Sequence, residues 1–405
     1  MIKTDIAIIG AGPAGISAAV ELKKLGYENI IVFDREDEAG GTPRHCGHKG
    51  FGIFEFKTLL SGPEYSKTLE ELAKNNNIEI KLKHTLYKIS DNDLFFSTPE
   101  GIKKCSAKRI ILALGARETP RPPRFISGTR SPNIITTGAL QRFVYMHNMK
   151  PFDNAVIIGS EVVSFSALMT ARHAGIKIKA VIDEDEQLNS FGILKTLSEM
   201  FLRTTVKNGV KIVSINGENK KIESITIEKN GEKETIDCEG IIFTGKFTPE
   251  SSIMQKTFER FNHNNSSLYV SQIFQTTNRR FFAAGNLLRG ALTAFNCFFE
   301  GRKVARFVDQ SLKYDNESEL MQVPIEVDEN IEWYYPSLVD LNEEMKYLTK
   351  LRLNKAAKGK IKVFLNDKIV IDKFVNVKTY NNVILPAIKE PVKLTDKIRI
   401  EFHQG

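Results

Sequence analysis

The chain has 405 residues, more than one ordinary core accommodates, so two or three domains are expected; 41% hydrophobic and 26% charged residues exclude a disordered or fibrous protein. Its formal charge of +8 comes from lysines scattered along the sequence, with no long block of like charge and no basic run interleaved with aromatics, so nucleic acid is not an expected partner. Four widely separated cysteines, Cys46, Cys105, Cys238 and Cys297, form no CxxC pair, which argues against a disulfide framework and against a four-cysteine iron–sulfur or zinc site.

Met1 to Thr4 lead almost at once into the apolar run Ile6–Ile9, leaving no room for a signal peptide, and no stretch approaches ~18 uninterrupted apolar residues. A cytoplasmic protein without a transmembrane segment is expected. The run enters Gly10-Ala11-Gly12-Pro13-Ala14-Gly15, a helix with apolar Ile16, Val20 and Leu22 closes at Gly26, and a second strand ends at Asp34, 24 residues after Gly10. A G-x-G-x-x-G between strand and helix with an acidic residue at that distance is the dinucleotide-binding fingerprint. Gly10 permits the tight turn, Gly12 lets the backbone approach a pyrophosphate, and Gly15 lets the helix pack on the strand. The helix opened by Pro13 and Ala14 then points its N-terminus at the phosphates. Asp34, with Arg35 beside it, is expected at the ribose.

The densest polar cluster follows, from Gly40 to Gly52, and contains Gly41, Arg44, His45, Cys46 and His48. In disulfide reductases with this opening, redox cysteines stand here beside the flavin. One cysteine cannot form that intramolecular disulfide. Cys46 could instead be a sulfenate centre, or join His45 and His48 on a metal that would lack a fourth ligand. The preferred reading has Arg44, His45 and His48 packing and hydrogen-bonding around the cofactor and its phosphates, with no metal. The catalytic residue stays unassigned, and Cys46, His45 and His48 are the candidates near the flavin.

Ser61-Gly62-Pro63-Glu64 reads as a capping box opening a helix that ends near Asn75. Strand-like runs at 78–82 and 93–97 and the apolar 109–115 read as a small antiparallel insertion returning to the parent sheet. Within 113–118, Gly115 and Arg117 belong to a stretch resembling the strand-end motif that closes over FAD. Pro120 to Pro132 is a stiff connector and a domain boundary.

A second copy of the opening unit then appears: Ala155–Ile158, Gly159-Ser160-Glu161-Val162-Val163-Ser164, a helix closing at Gly175 and a strand ending at Asp183, again 24 residues after the first glycine. Two of its three glycines are gone. Glu161 stands where the backbone must approach a pyrophosphate, and at about 4 Å two unit charges repel by ~1 kcal/mol in water and ~4 kcal/mol at an effective dielectric of 20. Ser164 adds a packing cost. NAD(P)H in the usual pose is therefore disfavoured, and the acidic run Asp183 to Glu186 reads as a solvated loop, with Asp183 still able to serve the ribose of another nucleotide.

The strand 240–245 closes this unit, and the chain returns to the first domain from about Phe247. Phe282-Ala283-Ala284-Gly285-Asn286 resembles the late flavin motif, with Asn286 where an Asp usually binds the ribityl chain; an amide still hydrogen-bonds a hydroxyl. The helix near Thr293 would aim its N-terminus at the flavin pyrimidine ring. Beyond Gln310, short alternating runs at 323–327, 360–365, 369–375, 383–388 and 398–402 form a mostly β module. The expected fold is α/β: an FAD-binding domain from 1–118 and 248–312, a degenerate NAD(P)-like Rossmann domain at 119–247 and a β module at 320–405.

Taken together, Gly41 to His48, Gly115 to Arg121, Thr136 to Gln141, Gly159 to Leu168, and Ala283 to Asn286 with Glu300-Gly301-Arg302 resemble a known family. It is that of the FAD-binding A-type (alpha) subunits of heteromeric flavin-dependent amine and amino acid oxidoreductases, with the A-type chain of opine oxidase and the B-type chain of hydrogen cyanide synthase as its familiar members. The resemblance covers roughly residues 1–310, within the superfamily of two-dinucleotide-domain pyridine nucleotide-disulfide oxidoreductases. It implies FAD, a second flavoprotein subunit that oxidises a C–N bond in an amino acid-like or opine substrate, and often a small [2Fe-2S] protein. This chain shows no cysteine-rich extension, so a cluster would sit on a separate partner. Its β tail is more like that of flavoproteins associated with anaerobic glycerol-3-phosphate dehydrogenases. The expected function is electron relay by an FAD-dependent subunit of a heteromeric complex, and the rivals are a stand-alone NAD(P)H-dependent flavoprotein reductase and a flavoprotein associated with glycerol-3-phosphate dehydrogenase.

Overall fold

The computed structural model describes residues 1–90, 93–185, 204–254, 257, 266–314, 320–342, 349–377 and 382–405. The strand Ile2–Ile9 pairs in parallel with Ile30–Phe33 on one side and with Gly101–Leu112 on the other, and Glu79–Lys81 extends the sheet beyond Ile30–Phe33. Gly101–Leu112 has two uses: its first half closes a hairpin with Asp93–Thr98, and its second half pairs in parallel with Phe281–Ala283. The seven-stranded sheet is thus parallel at its centre with an antiparallel extension, as the apolar and alternating runs require. Every residue from Ile6 to Ile9 and from Ile30 to Phe33 is buried, because helices cover the sheet.

Helix Pro13–Lys24 lies against helix Ala294–Lys313 so closely that a Cβ on Gly301 would stand 2.0 Å from the Ala14 carbonyl oxygen. Helix Gly62–Asn75 begins as its sequence indicates: the Glu64 carboxylate accepts from the Ser61 backbone N–H and hydroxyl, both at 2.7 Å. One hydrophobic core joins residues of 6–112 to residues of 254–308.

A second sheet of five parallel strands has the order Ile134–Thr136, Gly240–Phe243, Asn154–Ile158, Lys177–Asp183, Thr205–Asn208. The antiparallel sheet Lys211–Asn216, Ser224–Lys229, Glu232–Asp237 shares its core. Chain passage between the two parallel sheets uses a two-stranded ribbon, Ala116–Glu118 antiparallel to Phe247–Pro249.

The C-terminal β region forms two sheets, one of five strands and one of three. Three strands here, Ile331–Tyr335, Leu338–Asp340 and Thr349–Leu353, were not among the predicted runs. The region is fastened to 270–276: Ser337 N–H and Leu338 N–H donate to the Val270 carbonyl, the Ser337 hydroxyl accepts from Val270 N–H, and Gln272 bonds both backbone groups of Asp340. The fold is therefore α/β, with Rossmann-like dinucleotide-binding sheets and a C-terminal β-rich region. No helix among the described residues is long and apolar enough to cross a membrane.

Candidate cofactor site

The first glycine turn shows three glycines needed for different reasons. Gly10 has φ +113°, and a Cβ there would lie 2.3 Å from the Ala113 carbonyl oxygen, where the two strand ends converge. A Cβ on Gly15 would lie 1.8 Å from the Gly10 oxygen, so helix and turn could not pack. Gly12 is different: its φ of −85° is open to any residue, and the nearest atom to an added Cβ is Gly41 Cα at 3.8 Å. The protein itself does not demand glycine at this position. The open backbone there, at the start of a helix with no side-chain cap, is a cradle of the kind a pyrophosphate fills.

The Gly40-Gly41 loop lies across this turn, with Gly40 N–H donating to the Ala11 carbonyl at 2.8 Å. Asp34 fastens the turn: one carboxylate oxygen accepts from Ala11 N–H at 2.6 Å, the other from Glu36 N–H at 2.9 Å. Each oxygen keeps a lone pair for a ribose hydroxyl. Arg35 and Arg117 converge on Glu250, at 3.8 and 3.0 Å, and Glu250 N–H bonds the Gly115 carbonyl. The Arg44 guanidinium donates to the Glu38 carbonyl at 2.6 Å and stands 3.4 Å from Asp37 and 4.0 Å from Glu36.

The late motif adjoins the first helix, since a Cβ on Gly285 would stand 3.2 Å from Ala14 Cβ. Asn286 uses its Oδ1 inside the turn, accepting from Leu292 N–H at 2.7 Å and from the Cys297 thiol at 3.4 Å. Thr293 occupies the cap position of helix Ala294–Lys313, but its Oγ1 accepts from the Asn296 amide at 2.9 Å rather than closing the helix. Two uncapped helix N-termini, at Pro13 and Ala294, therefore belong to the candidate site. The residues present fit FAD: one N-terminus suits its pyrophosphate, the other the electron-rich side of its ring.

His45 and Cys46 share one partner, Gln141, whereas His48 turns away from both. His45 Nδ1 lies 3.3 Å from Gln141 Oε1, and burial lowers its pKa, keeping the ring neutral. His48 Nδ1–H donates to the Lys49 carbonyl at 3.0 Å, and its Nε2 accepts from the Ser166 hydroxyl at 2.8 Å. Neither the metal reading nor the sulfenate reading gains support. Burial, and then the Glu118 carboxylate, push the Cys46 thiol up to about 12, so it stays protonated at neutral pH. The other three cysteines are buried thiols raised to about 11 or 12. We expect iodoacetamide at mildly alkaline pH to label none of the four in the native protein and all after denaturation. Stoichiometric labelling of native Cys46 within minutes, read by mass spectrometry, refutes this assignment.

Residue-by-residue reading of the sequence missed Glu118 and Gln141 as members of this cluster. Glu118 is raised to about 7 by burial, and its Oε2 accepts from Gly138 N–H at 2.7 Å, at the start of helix Thr137–Gln141. Gln141, 3% exposed, bridges His45 and Cys46.

In the second glycine turn, the Glu161 side chain is folded against the end of strand Gly240–Phe243. Its Oε2 accepts from the Thr244 hydroxyl at 2.8 Å, and a Cβ on Gly245 would stand 2.0 Å from its Oε1. Ser164 turns its hydroxyl onto the Glu161 carbonyl at 2.6 Å. Burial raises the pKa of Glu161, and the neighbouring Asp183 carboxylate adds to the rise. Asp183 is itself buried rather than solvated, with its Oδ1 accepting from Asp185 N–H at 3.0 Å; Glu184 and Asp185 are exposed, and Glu186 lies outside the described residues.

The chain is 23% identical to dihydrolipoyl dehydrogenase of Manduca sexta over 338 residues, 73% of this chain and 66% of that protein. It is 24% identical to the A-type chain of opine oxidase of Agrobacterium tumefaciens (strain Ach5) over 225 residues, 52% of this chain and 42% of that one. The chain spans less than two thirds of the length of these curated relatives. Among solved structures, thioredoxin reductase of T. acidophilum superposes with a TM-score of 0.64 at 18% identity, covering 76% of this chain and 99% of that one. The model of the pyridine nucleotide-disulphide oxidoreductases matches residues 4–301, nearly all of both glycine-turn units, and to that family of FAD-dependent oxidoreductases the chain belongs.

Proposed function

We propose that this chain is the FAD-binding electron-relay subunit of a multi-subunit dehydrogenase or oxidase acting on an amino acid, an opine or a similar small substrate. The observation that carries the reading is the contrast between the two glycine turns. The first offers an open backbone at Gly12, whereas the second is filled by the chain's own Glu161 carboxylate. FAD supplies two-electron acceptance with one-electron release. Gly10, Gly12, Gly15 and Asp34 would hold its adenosine diphosphate half, and Gly285, Asn286 and Thr293 its flavin half.

A self-contained reductase of this family needs a nicotinamide seat and, for disulfides, a cysteine pair. Here Glu161 occupies the second glycine turn, and Cys46 is a half-buried, protonated thiol without a cysteine partner among the described residues. Electrons then enter or leave through another protein. Similarity to the A-type chain of opine oxidase and to the alpha chain of sarcosine oxidase, both named as subunits, supports a multi-subunit assembly, and we take the partner to be a second flavoprotein, with a small iron–sulfur protein as a further one.

An obligate interface buries upwards of about 2,000 Å² and survives purification. Tagged protein from its native host is expected to bring down a second flavoprotein, with amino acid or opine oxidation present only in the complex. Recovery of this chain alone, turning over a substrate by itself, overturns the proposal.

A further inference from the structure

We infer that Trp333 and Tyr335, carried by the C-terminal β region, are positioning residues for FAD, acting through Arg289 and Glu300 on the backbone of Gly285. The inference rests on the reading of the Gly10–Gly15 and Gly285–Asn286 turns as the flavin cradle. Gly285 N–H donates to Glu300 Oε1 at 2.7 Å, and the other Glu300 oxygen is paired with the Arg289 guanidinium. These two side chains are 9% and 11% exposed, so the pair is taken almost wholly out of water. Removing the cation would leave the Glu300 carboxylate buried without its partner, which is costly. Whatever fixes Arg289 therefore fixes the acceptor of the Gly285 N–H.

What fixes it is aromatic and belongs to the appended region. The Arg289 guanidinium carbon lies 5.3 Å from the Tyr335 ring centroid and 5.9 Å from that of Trp333. Both rings sit on the strand Ile331–Tyr335, which is paired with Thr349–Leu353. Tyr335 is held at both ends: its hydroxyl donates to the Gln272 carbonyl at 2.8 Å, and its ring stacks on Phe274 at 4.7 Å. Trp333 also faces a second guanidinium, that of Arg352 at 5.5 Å. A planar guanidinium over ring faces out of water is a favourable and directional arrangement. The connection runs from a strand of the β region, through one ion pair, to the turn that carries Asn286.

The test compares wild-type apoprotein with Trp333→Ala, Trp333→Phe and Arg289→Met. It reads FAD dissociation constants by titration, the visible circular dichroism of the bound flavin, and the unfolding temperatures of apo and FAD-loaded protein. Trp333→Ala and Arg289→Met are expected to weaken FAD on the order of tenfold, about the worth of one desolvated cation–π contact. Trp333→Phe, which keeps a ring face, should retain most of the affinity. The gap between loaded and apo unfolding temperatures should narrow in step with the lost affinity. A merely scaffolding role lowers both unfolding temperatures equally and leaves the dissociation constant within about twofold of wild type; that result overturns the inference. Where Trp333→Ala fails to fold, Arg289→Met carries the same reading with the aromatic strand intact. Wild-type apoprotein that takes up no FAD refutes the cradle itself, and this inference with it.

Discussion

Replacing Gly12 by valine should leave a folded, colourless protein. Valine adopts the Gly12 backbone angle without strain, and its Cβ meets nothing nearer than 3.8 Å, so the unfolding temperature of the apoprotein should stay close to wild type. The branched side chain instead stands where a pyrophosphate must meet the first-turn N–H groups. Losing two hydrogen bonds to a charged group, at about 1.5–3 kcal/mol each, weakens FAD by on the order of a hundredfold or more. Gly15→Val is the control with the opposite outcome: its Cβ would strike the Gly10 oxygen, so the fold itself should suffer. The ratio of flavin to protein absorbance after purification, beside thermal unfolding of both variants, decides. Yellow Gly12→Val protein defeats the assignment, as does colourless wild type that cannot be reconstituted.

NADH and NADPH should reduce the bound flavin slowly or not at all. The Glu161 carboxyl lies against Thr244 and Gly245, at the mouth of the second turn, where its bulk opposes a pyrophosphate at any pH and its charge, once ionised, would add up to ~4 kcal/mol of repulsion at about 4 Å. Acidification neutralises the carboxyl but leaves its bulk in place, so it should restore little. Glu161→Gly alone should also recover little, because Ser164 remains and hydride transfer needs a nicotinamide pocket as well. Anaerobic mixing with either nucleotide is the measurement, and rapid bleaching at micromolar NADH sinks the idea. Burial raises the folded pKa of Glu161 above its unfolded value, so its ionisation costs the fold nothing at acid pH and progressively more as pH rises through the folded pKa. Glu161→Gln should accordingly raise the unfolding temperature more in mildly alkaline than in acidic buffer.

What was legible in the sequence is what is local. The turn at Gly10 to Gly15, the fully buried strands and the Ser61–Glu64 helix start are each fixed by backbone geometry over a few residues, and each declares itself in residue type and spacing. The choice of partner is not local. Arg44 stands out by type, and Glu36, Asp37 and Glu38 surround its guanidinium; that acidic run was visible, but its fold onto Arg44 was not. Glu118 and Gln141 come together with His45 and Cys46 only because the ribbon and the helix Thr137–Gln141 meet the 42–46 turn. Arg289 had no marking at all, because its ring partners lie more than forty residues downstream. The strands Ile331–Tyr335 and Thr349–Leu353 were missed because their alternation is short and charged residues occupy their outward positions.

The ribbon of Ala116–Glu118 and Phe247–Pro249 sets Glu118 directly opposite Phe247. Everything between those two residues is a detour that starts and finishes at one address, like a side road that rejoins the highway where it left. A tight turn at that address would close the chain without disturbing the strand order around Ile2–Ile9. The detour touches the loop over the first glycine turn through His45 and Cys46 to Gln141, His48 to Ser166, and Glu36 to Arg142. Because the chain leaves and returns at one point, changes at the second turn, Glu161 among them, need not alter the strand order that carries the first.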